Sequence, residues 1–281
     1  MAKQPESASI GRRSVMKALI AAGVGGIAGT GTYSFLYARR HLEITRTTIP
    51  ASGLPQELTG LRIGLMTDIH RSLTVPREDV DAAVAAMMAE QPDLIVLGGD
   101  YVTWRDTQYI DDVADALAPL TAPHGIYAIL GNHDDERAVP AALAARGFEV
   151  LMDDRTRIEV AGTPLELIGL RFWTRRATDV IRLLSDAARP AILLAHDPRR
   201  VIEATALDLP VVLSGHTHGG QIILPGLGAI AARKFPIASG VLRRENTTLF
   251  VSRGVGTVYV PFRLNCPPEI AVLTLKRLSD I

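Results

Sequence analysis

Residues 61–70 read Leu-Arg-Ile-Gly-Leu-Met-Thr-Asp-Ile-His, an apolar run that ends in an aspartate and a histidine two positions apart. Residues 94–100, Leu-Ile-Val-Leu-Gly-Gly-Asp, repeat the arrangement. Short runs rich in branched apolar residues and closed by a polar turn predict buried strands. Working outward, Ile126–Leu130 leads into Gly131-Asn132-His133-Asp134, Ile192–Ala195 into His196, and Val211–Leu213 into Gly215-His216-Thr217-His218. Helical stretches lie between them over Glu78–Glu90, Ile110–Leu120, Arg137–Arg146 and Asp179–Ala188; Pro92, Pro123 and Gly147 stop three of these. The alternation predicts an α/β domain with helices covering sheet faces. Leu165–Arg171, Thr248–Ser252 and Ile270–Leu275 read as strands with less helix between them, which predicts a second, more antiparallel sheet packed on the first.

The five polar clusters stand just beyond five such strands and hold five of the seven histidines; His41 and His124 lie outside them. In an α/β sheet the carboxyl ends of strands meet along one edge, where ligand sites form. Carboxylate, imidazole and amide oxygen together make a mixed ligand set that suits Mn, Fe or Zn. His216 and His218 point to opposite sides of an extended segment, so one stretch can serve two neighbouring ions. Each cluster alone is a commonplace, and Gly98, Gly99, Gly131 and Gly215 read equally as turn residues. The conjunction of order, spacing and strand-end placement carries the reading.

Composition narrows the classes. Of 281 residues 47% are hydrophobic and 21% charged, and thirty basic residues balance thirty acidic ones. The sequence pI is near 7.1. No global positive field or long basic run invites nucleic acid. Cys266 is the one cysteine, which excludes an internal disulfide and a cysteine zinc site. Any positive charge for an anionic substrate must be local, and a metal centre would supply it.

Residues 1–40 form a separate unit. Lys3, Arg12, Arg13 and Lys17 precede an uncharged run from Ala18 to Ala38. A basic head before an apolar run has the form of an export signal or a membrane anchor. Arg12-Arg13-Ser14 resembles a twin-arginine signal and implies the matching export machinery as a partner. The protein is thus expected to be exported or membrane-associated. Gly25 and Gly29 make a GxxxG pair. Residues 41–60 read as a linker with an incoming strand, and residues 61–281 as the domain that carries the five clusters.

The whole pattern, D-x-H, G-D, G-N-H-[DE], a lone His and G-H-x-H, resembles the calcineurin-like metallophosphoesterases. The resemblance implies a four-layer αββα sandwich of two mixed sheets flanked by helices, and phosphoester hydrolysis at two divalent metal ions. Asp68, His70 and His218 would bind one ion, Asn132, His196 and His216 the other, and Asp100 would bridge. Water activated between the ions would attack phosphorus in line. His133 matches the catalytic histidine and is expected to protonate the leaving oxygen without binding metal. In the protein Ser/Thr phosphatase branch an aspartate orients that histidine; here the position is Thr103, which argues against protein phosphatase activity.

The tail Gly219-Gly220-Gln221, with Ser252-Arg253-Gly254 and Pro267-Pro268-Glu269-Ile270, resembles a narrower bacterial branch of membrane-associated phosphodiesterases. Some of its relatives are UDP-2,3-diacylglucosamine pyrophosphatases of lipid A synthesis, so a lipid-linked phosphoester is the substrate implied. Soluble nucleotides or small phosphodiesters are the alternative, and a non-catalytic metal-binding scaffold a remote one. Apolar loops at 222–227, 235–237 and 259–262 read either as core beneath the site or as its wall. Phe172-Trp173 poses the same choice between core and lid. Arg171, Arg175 and Arg176 read as a solvated face or as a holder for a second phosphate.

Overall fold

The computed structural model describes residues 12–280. Lys3 and the rest of residues 1–11 of the expected signal lie outside the described residues. Helix α1 (Arg12–Tyr33) runs into one π-helical turn, Ser34–Ala38. A side chain added at Gly23, Gly25, Gly26 or Gly29 would meet no neighbouring atom, so the GxxxG pair grips nothing among the described residues. Those glycines also dilute the segment's apolar character. No helix among the described residues is long and apolar enough to cross a membrane.

The remaining chain builds two six-stranded sheets. The first contains β1 (Glu43–Ala51), β2 (Arg62–Met66), β3 (Leu94–Leu97), β4 (Ile126–Ala128), β5 (Glu149–Val150) and the late β12 (Glu269–Arg277), in the order β1-β12-β2-β3-β4-β5. The second contains β6 (Asp154–Val160), β7 (Thr163–Leu170), β8 (Ala191–Ala195), β9 (Val211–Ser214), β10 (Gly240–Arg244) and β11 (Thr247–Val251), in the order β10-β11-β9-β8-β7-β6. Helices α2 (Arg77–Ala89), α3 (Ile110–Leu117) and α4 (Ala138–Ala144) cover the first sheet; α5 (Ala177–Ser185) and α6 (Val201–Ala206) cover the second.

Strand alternation explains the layers. Ile63, Leu65, Leu94 and Val96 meet Ile192, Leu194, Val211 and Leu213 between the sheets. The alternate residues Met66, Ile95 and Leu97 face α2 and α3, and Leu193 and Val212 face the helices of the second sheet. Strands buried on both faces read as unbroken apolar runs. The result is the expected αββα sandwich of two mixed sheets.

Two sequence expectations need correction. The second sheet is parallel through β7, β8, β9 and β11, with antiparallel neighbours only at its edges, β6 and β10. Strand β12 does not join it. It lies in the first sheet, parallel to β1 and antiparallel to β2, because Ala271, Leu273 and Leu275 complete the inter-sheet core. Edge strand β6 escaped the sequence reading because its Asp-Arg-Thr-Arg start is polar. Its hairpin turn, Ala161-Gly162 with both φ positive, was the available signal.

Candidate active site

The five clusters sit at the carboxyl ends of strands from both sheets, three from the first (β2, β3, β4) and two from the second (β8, β9). Beyond β2 and β3 the chain keeps pairing: Asp68 N–H donates to the Gly99 carbonyl at 2.8 Å and His70 N–H to the Asp100 carbonyl at 2.9 Å. Asp68, His70, Asp100, His216 and His218 all hold positive φ, between 51° and 73°. Such backbone is strained for these residues and persists where the surroundings fix it. Here it turns side chains into a common centre. Gly99 has φ +91°, and a Cβ there would collide with the backbone of Gly131; that contact lets the β3 and β4 loops touch.

Six of the seven expected ligands, Asp68, His70, Asp100, His196, His216 and His218, converge. Asp68, His70 and His218 offer ligand atoms within 4.8 Å of one another, as do Asp100, His196 and His216. His70 Nε2 lies 3.1 Å from His218 Nε2 and 3.4 Å from Asp100 Oδ2. His218 Nε2 lies 3.4 Å from Asp68 Oδ1, and His196 Nε2 is 3.1 Å from Asp100 Oδ2 and 3.8 Å from Asp68 Oδ1. The buried Oδ1 of Asn132 has no hydrogen-bond partner. Among the described residues no lysine or arginine pairs with Asp68 or Asp100.

This donor set fits divalent cations. His196 Nδ1 lies 2.8 Å from the Gly98 carbonyl and must donate its proton there. When the ring is neutral, Nε2 turns its lone pair toward two carboxylates, a repulsive arrangement that a cation converts into attraction. The protein groups alone express the same demand. Burial pulls the His196 imidazolium down, but Asp100 and then Asp68 outweigh it and raise the ring to about 10. His216 is pushed down to about 3 by burial and by His196, so one positive charge satisfies the cage where two imidazoliums would repel.

His133 differs. It forms its own triad with His70 and Asp100, so distance alone places it at the cage. Its Nδ1 accepts the Trp104 N–H at 3.1 Å, which uses the one lone pair of a neutral imidazole and leaves the proton on Nε2. A protonated nitrogen donates and does not ligate. Burial lowers the ring to about 4, so it is neutral near pH 7. Thr103, at the position of the missing aspartate, does not touch this ring. Its hydroxyl lies 3.1 Å from His70 Nδ1. The backbone of Trp104 orients His133 instead.

Two supporting residues had no role in the sequence reading. Asp134 accepts backbone N–H bonds from Asp100 and Gly131 at 2.8 Å and from Tyr101 at 2.7 Å, locking the β3 and β4 loops together. Burial and then Asp100 raise its carboxyl to about 7. Its place in G-N-H-D was the signal. Arg263 is wholly buried, and its guanidinium donates to the carbonyls of Arg253, Gly254, Gly256 and Cys266, folding the last loop behind Asp68. Nothing in the sequence distinguished it from a surface arginine.

The mouth is aromatic. Phe172 and Phe235 stand 5.3 and 5.2 Å from the His216 ring, and Trp104 stands 4.7 Å from His133. Trp173 instead packs toward the helix-covered core of the first sheet. His216 and His218 open onto a 270 Å³ cleft walled by Ile222, Phe235, Tyr259 and Val260, so the apolar loops border the site. A cavity of 740 Å³ is lined by Arg171, Arg175 and Arg176 but by none of the cage residues. Arg171 is already paired with Asp153 at 2.8 Å.

The family model described as calcineurin-like phosphoesterase matches residues 61–220. The chain is 32% identical to the uncharacterized metallophosphoesterase YkuE of Bacillus subtilis (strain 168), over 94% of this chain and 97% of that protein. It is 31% identical to the phosphodiesterase YaeI of Escherichia coli (strain K12), covering 76% of this chain and 82% of that one. An uncharacterized metallophosphoesterase of Aquifex aeolicus (strain VF5) shares 32% identity over 88% of this chain and 96% of its own length. A buried cage of metal-ligand chemistry on this fold, with these relatives, identifies the chain as a member of the calcineurin-like phosphoesterase family and a metal-dependent phosphoester hydrolase.

Proposed function

We propose that the protein is a dinuclear phosphodiesterase. Asp68, His70 and His218 hold one cation, Asn132, His196 and His216 the other, and Asp100 lies between them. The observation that carries this reading is the pair of buried carboxylates met by imidazoles and backbone N–H groups but by no lysine or arginine, two triads side by side with Asp100 in contact with both. Mn, Fe or Zn bound there would supply Lewis acidity and a water acidic enough to act as nucleophile near neutral pH. Hydrolysis breaks one P–O ester bond; the water oxygen ends on phosphorus and a proton ends on the departing oxygen. His133, neutral and protonated on Nε2, meets that departing oxygen as hydrogen-bond donor. The two ring nitrogens of His133 are thereby both engaged, one with Trp104 and one with substrate.

The name of YaeI supports a diester over a monoester. The apolar cleft beside His216 and His218 supports a substrate with a lipid-like portion, such as UDP-2,3-diacylglucosamine, acted on at a membrane face after export. Metal analysis with a chromogenic phosphodiester assay tests the core of the reading. Bound transition metal and metal-stimulated turnover are expected, and protein free of metal and inert with every added cation would overturn it. Turnover of a lipid-linked pyrophosphate is expected to exceed that of cyclic nucleotides; the reverse order would reject the lipid assignment alone.

A further inference from the structure

Trp104 and Tyr259 are the two large side chains that stay exposed beside His133, at 66% and 74% of their accessible surface. They come from loops far apart in sequence, yet their rings meet at 5.3 Å, and Tyr259 reaches the His133 ring at 6.2 Å. Each has a positive φ, 54° and 63°. For bulky residues such backbone is an outlier and needs support.

Both loops have it. His133 holds the first, accepting the Trp104 N–H on Nδ1 and the Arg105 N–H, at 2.8 Å, on its carbonyl. The buried amide of Gln221 holds the second. It accepts the Val258 N–H at 2.9 Å and approaches the Val258 and Val260 carbonyls at 3.2 and 2.9 Å, gripping the chain on both sides of Tyr259. Two strained loops are thus fixed from beneath so that two flat apolar faces stand in water. Beyond them lies a 520 Å³ cavity with Leu73, Val260 and Pro261 on its walls together with the polar Thr103, Asp106 and Gln108.

We propose that Trp104 and Tyr259 form the subsite for the leaving group, and that the group they select is aromatic. The proposal rests on the reading of His133 as donor to the departing oxygen, because that role puts the leaving group on the His133 side of the phosphorus. A flat ring stacks on one face and meets the other at its edge, the geometry that aromatic pairs favour. Gln221 acts as a positioning residue through Tyr259.

The test compares methyl phenyl phosphate with methyl 2-naphthyl phosphate, whose leaving groups are close in acidity but differ in aromatic face, using metal-loaded full-length protein. In the unaltered protein kcat/KM for the naphthyl ester is expected to exceed that for the phenyl ester about three- to tenfold. Trp104→Ala and Tyr259→Ala should each draw that ratio toward one. Gln221→Leu should do the same while circular dichroism shows an intact fold. Calorimetric titration with 2-naphthol reads the subsite without turnover: saturable binding is expected, and its loss in Tyr259→Ala. Binding of 2-naphthol without hydrolysis of either ester would keep the subsite and reject the phosphodiesterase reading. Hydrolysis of both esters at one rate, an unchanged ratio in the variants, or no naphthol binding would overturn the subsite.

Discussion

Asp100 gathers more functions than any other side chain in the site. One carboxylate oxygen accepts the His133 N–H at 2.7 Å, and the other faces His70 and His196. Asp100→Asn removes the charge while keeping the shape, so it should lower bound metal measured by mass spectrometry. His133→Ala should leave metal content intact and lower kcat by about 10²–10³-fold, the scale of a lost proton donor. Full metal in the first variant, or full activity in the second, would contradict these assignments. At this scale the sequence was legible wherever polarity broke an apolar run: Asp68, His70, Asp100, Asn132, His196, His216 and His218 all stand at strand ends, and the two aspartates and four histidines among them arrive at the cage. It was illegible where a main-chain atom does the work. The N–H of Trp104 replaces an aspartate in orienting His133, and no side-chain pattern announces that.

Elements are joined by charge as well as by packing. Arg71 on the loop after β2 and Arg77 at the start of α2 both bond Asp112 in the first turn of α3, Arg77 at 3.0 Å. Burial works against the Asp112 carboxylate, but the two guanidinium groups outweigh it and hold its pKa below the usual value. A depressed folded pKa gives stability that is present above the unfolded value near 3.8 and lost as pH falls through the folded one. Asp112→Asn should therefore cost about 1 kcal/mol at pH 7, as for partly exposed pairs. The difference from the unaltered protein should close in denaturant titrations below the usual carboxylate range. A penalty independent of pH would refute the ionic account. Arg263 belongs to the same scale. Arg263→Met should cost about 3 kcal/mol or more in a denaturant titration, because several buried carbonyls lose their donor. Helices and central strands were readable from periodicity and from proline or glycine stops. The partner of β12 was not, since an apolar run says that a strand is buried and nothing about which sheet receives it.

For the molecule as a whole, the cage lies between the sheets' strand ends, so cations bound there tie one half of the sandwich to the other. A ligand at a hundred times its dissociation constant stabilises the folded state by about 2.7 kcal/mol. For a domain of this size that corresponds to a Tm shift of about 5–10 °C. Treatment with a chelator should lower the melting temperature by that amount, and restored metal should recover it; an indifferent Tm would speak against a bound cation in the folded protein. A second consequence follows from β12, which lies between β1 and β2. On a translating ribosome the Asp68 loop emerges roughly 200 residues before the strand that closes its sheet, an interval on the order of 10 to 40 s. Throughout it β2 keeps a bare edge, open to a holdase or to misassembly with another nascent chain. Stalled chains ending before Glu269 should stay protease-sensitive, and resistance should appear only once the tunnel has released the last strand.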